Sequence, residues 1–361
     1  MTKRRESRGP GLAAVLAAMC VFACAPNADA QAPASTTWSV SIVLPAKLVA
    51  GQPATLSVLG TDGRLAEGIT VDLGEDQRVK TDSSGRVTFT VPLGLRFMIV
   101  NAQGTSAAAL VDDLTPVPGA TASASDARSG IKVPLLIAQR DQFAIWGGGS
   151  FAGDAREDHV TFGGDPAFVL AASPECLIVA TSSRVIPGPA KILVSSPPQQ
   201  WSADSVVIGL NFDPPRPALE PGKRSKLVLH AQGTSFPLRV LVENKTPGIL
   251  QFEHGDAQQL TTSGGEQNAA SIDVMAISTG DFSFNARLLR EPDVETARRF
   301  LEAAALLAPA GQKSDVKKLA DRLKKKPQES YKVWADARKM EMLTIAGDYR
   351  TLLEAATAAL N

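Results

Sequence analysis

Phe143-Ala-Ile-Trp-Gly-Gly-Gly-Ser-Phe151 and, a few residues on, Val160-Thr-Phe-Gly-Gly164 decide the fold of this chain. Gln142 to Trp146 is a short apolar run that stops at three consecutive glycines, which predicts a buried strand ending in a loop of unusual backbone angles. Ser150-Phe151 returns an aromatic ring toward the core. The charged segment from Asp154 to Asp158 reads as a solvated turn, and His159-Val-Thr-Phe162 as a second strand closed by Gly163-Gly164. Residues 167–171 form a further apolar run bounded by Ser173-Pro174. Residues 176–180 form another, and Pro187-Gly188 turns the chain into Lys191-Ile-Leu-Val194. Short strands with turn signals at a spacing of roughly 8–12 residues indicate a sandwich or barrel rather than an α/β fold.

The flanking sequence repeats this character. Toward the N-terminus, residues 39–44 alternate, residues 48–58 give a turn and a strand, and Gly60-Thr-Asp-Gly63 is a hairpin-type turn. Residues 69–73 are a strand, Asp82-Ser-Ser-Gly85 a turn, and Val87-Thr-Phe-Thr-Val91 alternates as a half-buried strand does. Residues 115–130 are rich in Pro, Ala, Ser and Gly and read as a linker that buries too little apolar surface to order itself. After the central stretch, Pro197-Pro198 and Pro214-Pro215-Arg-Pro217 flank a strand-like segment, residues 205–212. Strands at 225–230, 237–243, 250–252, 271–276 and 282–288 then complete a third sandwich, with residues 261–269 as its polar loop.

The pattern changes after Arg290. Asp293 is placed to cap a helix running through Leu307, ended by Pro309-Ala-Gly311. Ser314 is read as the cap of the next, whose Val316, Leu319, Ala320 and Leu323 share a face and which stops at Lys324-Lys-Lys-Pro327. Tyr331, Trp334, Ala335, Met342, Ile345, Leu352 and Leu353 predict a further helix or helix pair broken near Gly347. These helices either form a small bundle or pack against the third sandwich.

Within the central stretch, the order of Trp146-Gly…Phe151 and Val160-Thr-Phe-Gly-Gly164 resembles the IPT/TIG immunoglobulin-like domain, over about residues 132–196. Upstream, Asp62-Gly63, Gly68-Ile-Thr-Val-Asp-Leu73 and Thr81-Asp-Ser-Ser-Gly-Arg-Val-Thr-Phe-Thr-Val-Pro92 resemble bacterial immunoglobulin-like or carboxypeptidase-regulatory-like domains, over about residues 38–113. Both resemblances imply scaffold alone, because such domains serve adhesins, receptors, carbohydrate-acting enzymes and DNA-binding factors alike. The fold class expected is mainly β: tandem immunoglobulin-like β-sandwiches at 38–113, 131–197 and 201–290, with a linker at 114–130 and a C-terminal α-helical region at 291–361.

The N-terminus reads as an address. Lys3-Arg4-Arg5 and Arg8 precede an apolar run from Gly11 to Cys24, and Ala28-Asp29-Ala30 offers a cleavage site before Gln31. Residues 1–30 are therefore expected to be a secretory signal peptide. The competing reading is a lipoprotein signal acylated at Cys24, but Phe22 is a poor lipobox residue, so soluble export to the periplasm, cell surface or medium of a bacterium is favoured. No later segment reads as a membrane span. Lysine plus arginine equals aspartate plus glutamate at 37 each, so no overall field recruits nucleic acid. Of three cysteines only Cys176 lies beyond the signal, in an apolar strand that marks it as a core residue.

Catalytic motifs are not found. No G-x-S-x-G elbow occurs, Gly147-Gly148-Gly149 lacks the helix and lysine of a P-loop, and His159, His230 and His254 make no zinc spacing. Asp154, Glu157 and Asp158, beside His159, are the weak candidates for a hard metal, without the regular spacing of a calcium loop, and a solvated turn is the preferred reading. Lys317, Lys318, Arg322, Lys324 and Lys325 are candidates for an anionic partner, against the plainer reading of a solvated helix face. Trp201 and Trp334 are candidate sugar-stacking residues or partner anchors, with core packing preferred for both. These features predict no cofactor, no enzyme, and a binding or adhesion module for a protein or polysaccharide of the cell envelope. The alternatives are an envelope scaffold docking a partner through its helical tail, and an accessory subunit of a carbohydrate-acting system.

Overall fold

The computed structural model describes residues 40–74, 77–113, 130–213, 219–253, 255–345 and 347–360. The expected signal peptide, Cys24, Trp38, most of the expected linker, His254 and Pro214-Pro215-Arg-Pro217 lie outside the described residues.

Three sandwiches follow one another, each with its own apolar core. In the first, β1 (Ser41–Val43), β3 (Pro53–Leu59) and β6 (Arg86–Thr90) form one layer. The other is β2 (Lys47–Val49), β8 (Thr105–Asp112), β7 (Phe97–Ala102), β4 (Thr70–Asp72) and β5 (Arg78–Lys80), with β2 parallel to β8. Leu48, Leu56, Val58, Val71 and Val100 fill the space between them. In the second, β10 (Gln142–Trp146) pairs with β13 (Cys176–Ala180), which pairs with β12 (Asp165–Ser173). Strand β12 changes partner along its length: Asp165 to Ala167 pair with β11 (His159–Phe162), and from Phe168 on it pairs with β13, with a register shift between Val169 and Ala171. Beyond β11 come β14 (Gly188–Ser196), β15 (Gln199–Asp213) and β9 (Leu136–Ala138), the last parallel to β15. Phe143 and Phe162 meet edge to face at 5.6 Å in this core, which also holds Phe151. Cys176 is fully buried, and burial pushes its thiol pKa up.

The third sandwich adds β16 (Arg224–Gln232), β20 (Ala269–Ala276) and β18 (Leu250–Phe252) to the far half of β15. Its facing sheet is β19 (Ala257–Thr261), β17 (Arg239–Asn244) and β21 (Phe284–Leu288). The sequence reading separated the second and third sandwiches between residues 197 and 201. Strand β15 crosses that line unbroken, pairing with β14 through Gln199–Val207 and with β16 through Gly209–Asp213. The buried positions of β15 change phase at Val207–Gly209, where pairing passes from β14 to β16, and the apolar run Val206-Val207-Ile208 marks that shift in the sequence.

Four helices close the chain, the further helix or helix pair of the sequence being a pair that breaks at Gly347: α1 (Val294–Leu307), α2 (Ala310–Lys325), α3 (Ser330–Leu343) and α4 (Asp348–Ala359). Asp293 caps α1 as expected, accepting from the Thr296 amide at 3.0 Å. Ser314 does not cap α2. That helix opens four residues earlier, directly behind Pro309, and makes no side-chain cap. None of these helices is long and apolar enough to cross a membrane.

The helices form a bundle, and it rests on the first sandwich rather than the third. Leu110 of β8 is buried in the same core as Phe300, Leu301, Leu323, Leu352 and Leu353, with Phe97, Ile99 and Ala108 packed against it. Arg299 pairs with Asp112 at 2.5 Å on the edge of that contact. The chain thus returns to its beginning. A helix that follows the third sandwich in sequence completes the cover of the first.

Candidate functional site

The first two sandwiches are joined through polar groups of β3 and β6. Thr55 bridges to Ala172 across β3 and β12. Its hydroxyl donates to the Gly153 carbonyl at 2.9 Å and accepts from the Ala155 amide at 3.2 Å. The Ser57 hydroxyl donates to the Leu170 carbonyl, and Arg86 Nη2 donates to the Val169 carbonyl at 2.7 Å. On the other side of the joint the Ser173 hydroxyl donates to the Lys47 carbonyl at 2.8 Å, and Lys47 Nζ stands 5.1 Å from the centre of the Trp146 ring.

This joint walls a cleft of about 260 Å³ lined by Arg86 from β6, Ala155, Arg156 and Asp158 of the turn, His159 to Thr161 of β11, and Pro166 to Val169 of β12. Among the described residues, seven buried side-chain nitrogen or oxygen atoms find no hydrogen-bond partner within the protein. Four belong to this lining: Arg86 Nε, both carboxylate oxygens of Asp158, and Thr161 Oγ1. Such atoms cost about 1–3 kcal/mol each when left unpaired. Their concentration in one place therefore marks a locus whose polar groups the fold itself leaves unsatisfied. The rim is open, with Arg156 and His159 exposed and the Phe168 ring 62 % exposed. A second hollow, of about 310 Å³ between β1 and β10, differs in kind. The guanidinium it contains, Arg290, is engaged by Asp141 and the Gln142 carbonyl, and among the described residues none of its lining atoms is a buried polar atom without a partner.

The three carboxylates of the sequence-predicted metal candidate do not converge. Asp154 is held by Arg156 at 2.7 Å, and that hydrogen bond lowers its pKa despite partial burial. Glu157 is exposed. Asp158 was read as part of a solvated turn but is only 2 % exposed, because Val160 next to it enters the core and draws the end of the turn inward. No group of three or more potential metal-ligating side chains is gathered among the described residues.

Burial raises the Asp158 pKa from 3.8 to about 6. The Ser196 hydroxyl and Ala152 amide lower it without reaching hydrogen-bond geometry, while the charges of Glu157 and Asp154 raise it further. Because the folded-state value lies above the unfolded one, the folded chain holds more protons between them, and stability falls as pH rises from about 4 through 6. Asp158→Asn fixes a neutral side chain. It is expected to raise the unfolding free energy by up to about 3 kcal/mol near neutral pH and to leave it unchanged near pH 4, measured by urea denaturation at both. An equal gain at the two pH values rules this assignment out.

The basic candidates lie apart from the cleft, on the bundle. Lys318 pairs with Asp315 at 2.8 Å, and Arg322 bridges Glu329 and Asp336. Lys317, Lys324 and Lys325 are exposed on α2, with no ion pair among the described residues. Trp334 is half-buried against the bundle core and stacks on Tyr331 at 5.6 Å. Trp201 packs edge-on against Phe151 at 5.7 Å, beside the core of the second sandwich. Sequence reasoning missed Arg86, Thr161 and Phe168. Arg86 and Thr161 read as the outward polar positions of alternating strands, and the docking of one sandwich on another has no local signature.

No protein-family profile matches the chain, and no curated protein matches it. Among solved structures it is similar to domains 4 and 5 of the S-layer protein SbsC, at 14% identity, 30% of this chain, 62% of that one and a TM-score of 0.19. A second is the full extracellular region of plexin A4, at 11% identity, 72% of this chain, 24% of that one and a TM-score of 0.24. A third is the Bacteroides ovatus glucan-utilisation protein SGBP-B in complex with a mixed-linkage heptasaccharide, at 12% identity, 67% of this chain, 71% of that one and a TM-score of 0.24. The chain spans 38% to 62% of the lengths of the surface-layer structures it matches.

Proposed function

We propose that the chain is a non-enzymatic binding module exported to the bacterial cell envelope, and that it holds its ligand in the cleft between the first two sandwiches. The observation that carries this reading is the gathering of Arg86 Nε, the Asp158 carboxylate and Thr161 Oγ1, all unpaired, around one opening. A pocket with a few convergent polar groups on a rigid scaffold is suited to recognition. In this reading residues 1–30 direct export, residues 38–113 are a bacterial immunoglobulin-like domain, the second sandwich is an IPT/TIG-type domain that takes in the first half of β15 and the third sandwich a spacer, and the partner is a polysaccharide or protein of the envelope.

A second reading, an envelope scaffold docking through its helices, draws on one feature of the bundle. The Asp293 amide donates to the Ala359 carbonyl, so the start of α1 meets the end of α4. The end of α1 therefore lies beside the α3–α4 connection, and exposed Leu306, Leu307, Met342, Leu343 and Ile345 are placed at one end of the bundle.

Co-sedimentation with washed cell-envelope material separates the two readings. The intact exported chain is expected to sediment, and Phe168→Ala combined with Thr161→Lys to reduce retention about tenfold or more. The triple variant Lys317→Glu, Lys324→Glu, Lys325→Glu is expected to leave retention unchanged, as is Leu343→Ser with Ile345→Ser. Loss confined to the bundle variants would transfer the function to the helices.

A further inference from the structure

We propose that the ligand of the cleft is a neutral oligosaccharide lying across the outer face of the second sandwich; this rests on the cleft being the binding site. Strand alternation defines that face. Val160, Phe162, Ile192 and Val194 point into the core, so His159, Thr161, Lys191, Leu193 and Ser195 point out. The register places Pro166, Thr161, Leu193 and Ser202 in one row across β12, β11, β14 and β15. Beside it His159, Ser195 and Gln200 form a second row, and Phe168 stands one step along β12 from Pro166. Four strands at their usual spacing make a strip about 14 Å wide. Its outer side chains are mixed apolar and hydroxyl or amide, with one exposed aromatic ring at the end next to the cleft.

This combination matches the surface of a sugar, which presents C–H faces to a ring and hydroxyls at its edge. A hydroxyl both donates and accepts. One polyol can therefore accept from Arg86 Nε–H and donate to the Asp158 carboxylate, a demand that neither a simple anion nor a simple cation meets. Charge argues for neutrality as well. The cations beside the cleft, Arg86 and Arg156, both lie in the field of Asp82 and Asp154, Glu157 acts on Arg156 as well, and on the strip Lys191 faces Asp204. An anionic chain finds no net positive field there. The unpaired atoms are covered in the free protein, so binding requires the cleft to open around them, and its rim at Arg156, His159 and Phe168 is exposed.

Isothermal titration of the intact exported chain tests this with a defined panel. The neutral members are the hexasaccharides of cellulose, xylan, mannan, starch and chitin, and the charged ones are hexagalacturonate and a heparin hexasaccharide. At least one neutral member is expected to bind. Phe168→Ala is expected to weaken it about tenfold, and Thr161→Val, which keeps the shape and removes the hydroxyl, by a smaller factor. Binding by charged members alone, lost in Phe168→Ala, overturns the neutral class and leaves the cleft standing. Neutral binding indifferent to both substitutions overturns the cleft itself. No binding by any member overturns the proposal.

Discussion

Leu110→Ala is expected to destabilise the helical bundle by about 2–5 kcal/mol, although the residue belongs to a strand of the first sandwich. Leu110 is 2 % exposed and lies in the core made by Phe300, Leu301, Leu323, Leu352 and Leu353. Truncating it opens a cavity between β8 and the helices, and the sheet, fixed on its other face by Val100 and Ala109, has little freedom to collapse into it. The measurement is helical circular dichroism of the intact chain through a urea titration, with the midpoint converted to free energy. Phe236→Ala, which trims a ring that is 75 % exposed, is the control and is expected to stay within about 0.5 kcal/mol of the parent. A change of less than about 1 kcal/mol for Leu110→Ala would mean that the bundle stands apart from the first sandwich.

The second large effect is expected at the joint itself. Gly153 has φ +76°, and a Cβ added there would lie 2.3 Å from the Pro53 carbonyl oxygen and 3.0 Å from its carbon. The backbone cannot move aside without losing the hydrogen bond that Thr55 donates to the Gly153 carbonyl. Gly153→Ala combines the left-handed penalty with a clash against main chain, and is expected to cost about 3 kcal/mol or more and to impair ligand binding at the cleft. Gly148→Ala separates the two contributions. At φ +56° with no atom within 4 Å of the added Cβ, it carries the conformational penalty alone, about 1–2 kcal/mol. Equal losses for the two variants would show that the approach of Pro53 to Gly153 does not hold the joint.

The contrast between these sites and the strands around them shows what was legible in the sequence. Gln142 to Trp146 and His159 to Phe162 were readable because local alternation and the glycines that follow report a strand without reference to its neighbours. The change to helix after Arg290 was readable for the same reason, as Asp293 and a run of helix-forming residues act within one turn. Thr55, Ser57 and Arg86 were not. Each is a polar residue on an otherwise regular strand, where a solvated position is the ordinary expectation, and only a second sandwich laid over them turns them into the joint. Asp158 was misread for a related reason. Its sequence neighbours Arg156, Glu157 and His159 are exposed, and the apolar pattern begins only at Val160. The meeting of α1 with β8 joins residues 187 positions apart, a separation over which periodicity carries no information.

The central claim is that the locked joint of the first two sandwiches holds the ligand. It is tested most directly by amide hydrogen exchange of the intact chain, with and without saturating soluble envelope polysaccharide. The account predicts slowed exchange in β6, β11 and β12, around Arg86, Thr161 and Phe168, and unchanged exchange in α2 and α3. Slowing confined to α2 and α3, or no change anywhere, would contradict it.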